Sequence, residues 1–225
     1  MSDYILKLIQ RGENQQLDFK FEISDSKKIA RSLVAFANTD GGKLLVGVKD
    51  NGVVAGVRSE EEYHMVEAAA QLYCRPEVTF KTKEWIVQGR KVLEVVVPKN
   101  ASIKHKAPDK NGEYKFYVRV HDQNILADSV LIKLWKNESE NVPVKIFLAE
   151  AELGLLHYLE KQPAVTLVEF MKLFSISKPK AEIILVNFIR LGIIDMIITE
   201  KGTKFALCDT DYQSILEEHN CYNER

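Results

Sequence analysis

The chain has 225 residues, 46% of them hydrophobic and 28% charged, which suits one large domain or two ordinary ones with a real core. No apolar run reaches the roughly 18 residues needed to span a bilayer, and the start Met1-Ser2-Asp3-Tyr4 has no basic stretch leading into an apolar one, so the expected compartment is the cytoplasm, with no membrane partner. A net charge of −1 argues against coating nucleic acid by bulk electrostatics, but leaves room for a local basic face.

Cys74, Cys208 and Cys221 are far apart and form no CxxC pair, so neither a disulfide framework nor a zinc site is suggested. In chain order, residues 2–11 read as a helix capped by Ser2 or Asp3, with Ile5, Leu8 and Ile9 on one face and Gly12 as its stop. Leu17 to Phe21 alternates, predicting a strand with Leu17, Phe19 and Phe21 inward. Ser24 or Ser26 opens a helix through Asn38, buried along Ile29, Leu33, Phe36 and Ala37, with help from Val34. Gly41-Gly42 breaks it. Lys43 to Val48 is a nearly continuous apolar run, as expected of a central strand covered on both faces.

Asp50-Asn51-Gly52 has tight-turn chemistry and predicts a return strand over Val53 to Val57. A helix is expected over 59–74, starting at Ser59 with Glu60, Glu61 and Glu62 in its first turn and ended by Pro76. Val78–Val87 and Lys91–Val97 form a hairpin, turning at Gln88-Gly89-Arg90. Pro98 to Gly112 is polar and aperiodic, hence an exposed loop. Glu113 to Val120 alternates as a strand, and Ala127 to Asn137 reads as a helix.

Residues 139–146 are the expected linker, separating a domain at 1–138 from a smaller one at 147–208. The smaller one begins with an amphipathic helix over 147–161. Thr166-Leu167-Val168-Glu169 is a capping box that opens a second, short helix. Ser177 with Pro179 opens a third, stopped by Gly192. Ile193–Thr199 and Lys204–Leu207 are two strands. Three helices followed by a hairpin is the order of a winged helix-turn-helix. Residues 209–225 form a polar tail. The expected fold class is α+β, a mixed sheet with flanking helices followed by that small domain.

The N-terminal elements carry an ordered series: Glu13, Leu17-Asp18-Phe19-Lys20, Ala35-Phe36-Ala37-Asn38-Thr39-Asp40-Gly41-Gly42, Val46-Gly47-Val48-Lys49-Asp50-Asn51-Gly52, Gly56, Val97-Pro98 and Tyr117-Val118-Arg119. This series resembles the AlbA-type domain of the Schlafen family over about residues 3–135. Bacterial proteins of this kind are described as DNA-binding proteins or transcriptional regulators, often with a C-terminal winged helix. The chain departs from the family pattern at Asp18, where glutamate is usual, and at Lys104-His105-Lys106, where Pro-His is usual.

Asn38, Gly41, Gly42 and Gly47 are the motif residues. Two glycines at a helix-to-strand junction permit positive φ and close approach of a backbone or a ligand. The same turn is equally what the fold itself needs. In animal Schlafen proteins three acidic residues form a metal-dependent ribonuclease site. The resemblance implies Glu13, Asp18 and Asp50 as the matching catalytic and metal-binding candidates, and Mg²⁺ or Mn²⁺ as the only cofactor to consider. The plainer alternative is two solvated surface acids and a turn residue.

Lys20, Lys43, Lys104, Lys106 and Arg119 are basic. Arg119 is read either as a phosphate contact or as a salt bridge to Asp18 or Glu13. His105 reads as a solvated loop histidine or a phosphate contact. There is no GxxxxGK[ST] loop, so nothing points to ATP hydrolysis. In the smaller domain, Lys178 and Lys180 lie in the first turn of the third helix and Lys201 and Lys204 flank the hairpin tip, where they could meet nucleic acid. The stretch Pro143–Cys208 has eight basic residues against seven acidic. Its third helix is apolar at Ile183, Ile184, Val186, Phe188, Ile189 and Leu191, so a protein-packing module is the competing expectation.

The leading expectation is a nucleic-acid-binding protein, specifically a DNA-binding transcriptional regulator that forms homo-oligomers, with duplex DNA as partner ahead of RNA. A metal-dependent nuclease is the alternative, and a pure assembly protein the third.

Overall fold

The structure, a computed structural model, describes residues 2–57, 59–145 and 147–209. It divides into two compact units, Met1–Ala127 and Asp128–Arg225. The polar tail expected over 209–225, with Cys221, lies outside the described residues apart from Asp209.

The first unit begins with α1 (Ser2–Arg11), β1 (Leu17–Lys20), α2 (Ser26–Asn38) and β2 (Gly42–Val46). Strands β1 and β2 are parallel neighbours, a pairing that requires a crossover, and α2 supplies it. The helix opens on Asp25, whose carboxylate accepts from the Lys27 N–H at 2.8 Å. The cap is therefore neither of the two serines expected. Ser26 is already helical and buried, and its hydroxyl donates to the Met65 carbonyl.

After β2 come α3 (Glu61–Tyr73), β3 (Lys81–Val87) and β4 (Arg90–Val97). These complete a four-stranded sheet in the order β1-β2-β4-β3. Strand β2 lies inside it, as its apolar run predicts. Leu44 and Val46 pack with α2 and α3, together with Ile29, Leu33, Val66, Ala70, Val95 and Val97. Leu45 faces the opposite way, into a second cluster with Ile5 of α1, Leu17, Phe19, Val87 and Val92. Both faces of the sheet are thus covered, one by α2 and α3 and the other by α1.

Asn51-Gly52 turns the chain as expected: the Gly52 N–H reaches the Lys49 carbonyl at 2.7 Å and φ there is +80°. The return is shorter than the sequence suggests. Val53–Val57 makes only one bridge, Val48 to Val54, before the Val57 N–H moves to the Lys91 carbonyl. The stretch 98–112 is likewise not all loop. It contains β5 (Lys106–Pro108), which pairs with β6 (Tyr114–Val120) and then β7 (Gln123–Leu126) in a three-stranded sheet. Ala107 and Tyr117 of this sheet join the α2 cluster.

The second unit contains α4 (Ser129–Ser139), α5 (Glu150–Leu159), α6 (Leu167–Leu173), α7 (Lys178–Arg190), β8 (Ile194–Thr199) and β9 (Gly202–Leu207). Helix α4 is capped by Asp128, whose carboxylate accepts from Val130 and Leu131. The division falls before α4 rather than in the expected linker. The reason lies in α7: Lys133 of α4 sits 3.4 Å from Glu182. Burial works against ionisation of Glu182, but Ser129, Lys133 and Lys178 outweigh it and hold the carboxyl below its usual range. The Thr166–Glu169 capping box forms reciprocally, with Thr166 N–H to Glu169 at 2.8 Å and Glu169 N–H to Thr166 Oγ1 at 3.2 Å. Ser177 precedes α7 without making a side-chain cap bond. The order of three helices and a hairpin, α5-α6-α7-β8-β9, follows the sequence expectation.

The turn at 38–42 is set by packing. Gly41 has φ +69° and an added Cβ would lie 2.8 Å from the Lys99 amide nitrogen; one on Gly42 would strike the Phe36 ring. Gly42→Ala is therefore expected to cost about 1–3 kcal/mol by overpacking, read as a lower urea midpoint at unchanged slope.

Candidate nucleic-acid interface

Asp18 pairs with Leu44 in the β1–β2 ladder, so it points to the face that α2 covers, not to water. It is 3% exposed. Alternation along β1 suggested a solvated position because it assumed one buried face; here both are buried, and the carboxylate needs partners. Arg119 of β6 supplies them. Its guanidinium is the largest fully buried side chain among the described residues. It lies 3.4 Å from Asp18 Oδ1, donates to the Leu17 carbonyl at 3.2 Å and to Asn124 Oδ1 at 3.0 Å, and rests over the Phe36 ring at 5.1 Å. Of the two readings of Arg119, the geometry selects the salt bridge. A side chain enclosed in this way does not reach a phosphate.

Lys20 is also committed, with its ammonium 2.9 Å from Asp18 Oδ2 and 2.7 Å from the Phe19 carbonyl. Glu13 accepts from the Phe19 N–H at 2.8 Å and so satisfies a donor on the outer edge of β1. Burial, then the hydrogen bond to Asp18, raises the Glu13 carboxyl above its usual range, with the Phe19 N–H opposing. Asp50 is exposed in the Asn51-Gly52 turn. The expected three-carboxylate site is therefore not assembled: among the described residues no group of three His, Cys, Asp or Glu could hold a metal ion. Glu13 and Asp18 meet, but Asp18 is already neutralised by Arg119 and Lys20, and Asp50 does not join them. These residues do not fit a shared Mg²⁺ or Mn²⁺.

The loop candidates are structural too. His105 is 3% exposed, not solvated. Its Nδ1 lies 2.9 Å from the Pro76 carbonyl and its Nε2 3.1 Å from the Asn100 amide, so the ring donates at Nδ1 and accepts at Nε2. Asn38 accepts from the His105 N–H at 2.8 Å and donates to the His105 and Tyr117 carbonyls, both at 2.9 Å. It ties the end of α2 to both β5 and β6. Lys104 donates to the Asn100 carbonyl, and Lys106 lies 4.6 Å over the Phe116 ring. Gly47, at φ +92°, lets the backbone of Gly56 and Val57 approach, and its carbonyl accepts from Ala55 and Gly56.

The sequence reading missed Glu94, 3% exposed at the centre of the sheet. It accepts from the Tyr4 hydroxyl at 2.7 Å and the Trp85 indole at 2.8 Å, with Lys43 at 3.4 Å. Burial lowers the Lys43 ammonium, but Tyr4 and Glu94 outweigh it and raise it. The strand register gave no signal for this in sequence, because Tyr4 and Glu94 are 90 residues apart. Lys43 and Lys81 flank Val96 across the ladder and share its face, and Lys83 follows two residues along β3. A shallow cavity of about 190 Å³ beside the 38–42 turn is lined by Lys43 and Lys99, with Gln16, Asp40 and Val96 among its other walls.

In the second unit Lys178, Lys180, Lys201 and Lys204 are all exposed. Lys178 is 3.7 Å from Glu182. Lys180 and Lys201 have no carboxylate partner among the described residues.

The family model for Schlafen, AlbA_2 matches residues 13–128, just over half of the chain. The chain belongs to this family. Its AlbA_2 region coincides with the first compact unit apart from α1. Comparison with solved structures finds the DIP2311 protein from Corynebacterium diphtheriae (18% identity, TM-score 0.44), matching 84% of this chain but only 38% of that one. It also finds the N-terminal domain of a RecG-related protein from Nitrosomonas europaea (19% identity, TM-score 0.34), over 57% of this chain and 94% of the other. A third is the adhesin competence repressor from Streptococcus pyogenes (18% identity, TM-score 0.28), over 42% of this chain and 69% of that one. Comparison with curated proteins gives no match. Among the described residues no helix is long and apolar enough to cross a membrane.

Two expectations follow for the AlbA_2 region. Asn38→Ala strands a buried N–H and two carbonyls, and should cost about 3 kcal/mol or more in denaturant unfolding. Glu13 has a folded pKa above its unfolded value, so its contribution is most favourable in acid and is lost as pH rises through the folded pKa. Glu13→Gln keeps the acceptor for Phe19. Its melting temperature should exceed wild type at pH 7, and the gap should narrow as pH falls through the folded pKa and close by about pH 3, below the usual carboxylate range.

Proposed function

We propose that this protein binds nucleic acid, with duplex DNA as the preferred partner, and acts as a transcriptional regulator. The observation that carries this reading is the lysine arrangement of the second unit. Lys178 and Lys180 stand in the first turn of α7, while Lys201 and Lys204 stand at the β8–β9 hairpin. We read α5-α6-α7-β8-β9 as a winged helix-turn-helix, in which α7 enters the major groove and the hairpin meets the backbone. A near-neutral module can do this because affinity depends on the few cations that replace counterions, not on net charge. The AlbA_2 region adds Lys81 and Lys83, on the sheet face where Lys43 is paired with Glu94, while Lys99 is 3.6 Å from Asp40. Family membership points the same way without supplying the target.

Four phosphate contacts predict a slope of about −3.6 in log K against log salt for duplex DNA. The double variant Lys180→Glu, Lys201→Glu should weaken binding by well over about tenfold and flatten that slope by roughly 2. Fluorescence anisotropy with labelled duplexes at stepped salt measures both. Wild-type protein that shows no binding at low salt, or a double variant that binds as well as wild type, would overturn the proposal.

A further inference from the structure

Helices α5 and α7 enclose a group that the lysine surface does not use. Glu152 is 8% exposed, and its Oε2 has no hydrogen-bond partner. It stands in the first turn of α5. No lysine, arginine or histidine lies within ion-pair distance of it among the described residues. A buried carboxylate without a counter-charge is costly.

The carboxylate lines a small cavity of about 50 Å³, whose other walls are Lys145, Phe147, Ile183, Ile184, Asn187 and Phe188. Apolar side chains make up most of these walls. Phe147 is 71% exposed and Ile183 49%, so a ligand tail can lie over apolar surface. The Asn187 amide nitrogen donates to the Lys145 carbonyl at 2.7 Å, which leaves its oxygen as an acceptor. A buried carboxylate and two phenyl rings around a space this small suit an organic primary ammonium, although Lys145 also stands in the wall. The acceptors take its N–H groups, and the phenyl rings favour both its charge and its methylenes. An anion would meet Glu152, and a neutral alkyl group would leave Oε2 bare.

We propose that this cavity is a binding site for a small primary alkylammonium ligand, with Glu152 as its counter-ion. The site is independent of the nucleic-acid reading and is tested without nucleic acid.

The probe is n-butylammonium, titrated into the full ¹⁵N-labelled chain, with n-butanol as the neutral control at matched ionic strength. Saturable amide shifts centred on Phe147, Glu152, Ile183 and Asn187 are expected for the amine and not for the alcohol. Glu152→Gln should weaken binding by about tenfold or more, the scale of a lost charge-assisted hydrogen bond. Ile183→Trp is a second variant, which crowds the cavity while keeping the carboxylate, and it should also block binding. Circular dichroism confirms that each variant is folded. Absence of saturable shifts in wild type, equal binding of butanol, or unchanged affinity in folded Glu152→Gln would each overturn the proposal.

Discussion

The first unit depends on one buried guanidinium. Arg119 reaches from β6 to the carboxylate of Asp18 on β1, takes the Leu17 carbonyl and Asn124 of β7, and lies on Phe36 of α2. Two sheets and the crossover helix meet at that side chain. Such a pair gains little over an apolar substitute, because desolvation of both ions offsets their attraction, but removing one partner strands the other. What the pair adds is a link between β1, β6 and α2. The observed placement of the three-stranded sheet against α2 satisfies both Arg119 and Asp18. Asn38 acts alongside it, with its amide bonded to the backbone of His105 and Tyr117.

This constraint also decides what the AlbA_2 region can do. The acids that the motif series offered as metal candidates are here occupied by the fold. Asp18 faces Arg119 and Lys20, Glu13 caps the edge of β1, and Asp50 belongs to an exposed turn. Basic side chains outside this network lie elsewhere, at Lys81 and Lys83 on the sheet face where Lys43 is paired with Glu94, and in the second unit. A single α7 carries both the proposed nucleic-acid contacts at its start and, one to two turns further on, walls of the Glu152 cavity.

Much of the local structure was legible in the sequence. The 3.6-residue stripe of α2, the Thr166–Glu169 capping box, the Asn51-Gly52 turn and the apolar run of β2 each carry a local signal, and each appears where expected. The ordered motif series located the family. The 38–42 turn was legible as a turn, but its cause was not. Gly41 and Gly42 make room for the Val97–Lys99 backbone and the Phe36 ring, contacts that no local pattern encodes. The element edges that went astray, β5, β7 and the return after Gly52, are short pieces whose pairing is decided by distant strands.

The polar residues mark the line between the two kinds of information. Sequence by itself determined which segments are helical, which strand runs through the interior and where the basic side chains of α7 and the hairpin fall, because these follow from spacing within a few residues. Tertiary structure alone decided that Asp18, Arg119, His105 and Glu94 are buried, and that Glu152 lacks a counter-ion. A polar side chain carries no periodic signal of burial. Its environment depends on partners as far as 101 residues away, as Arg119 is from Asp18. The chain had to close before either could be read as structural rather than functional.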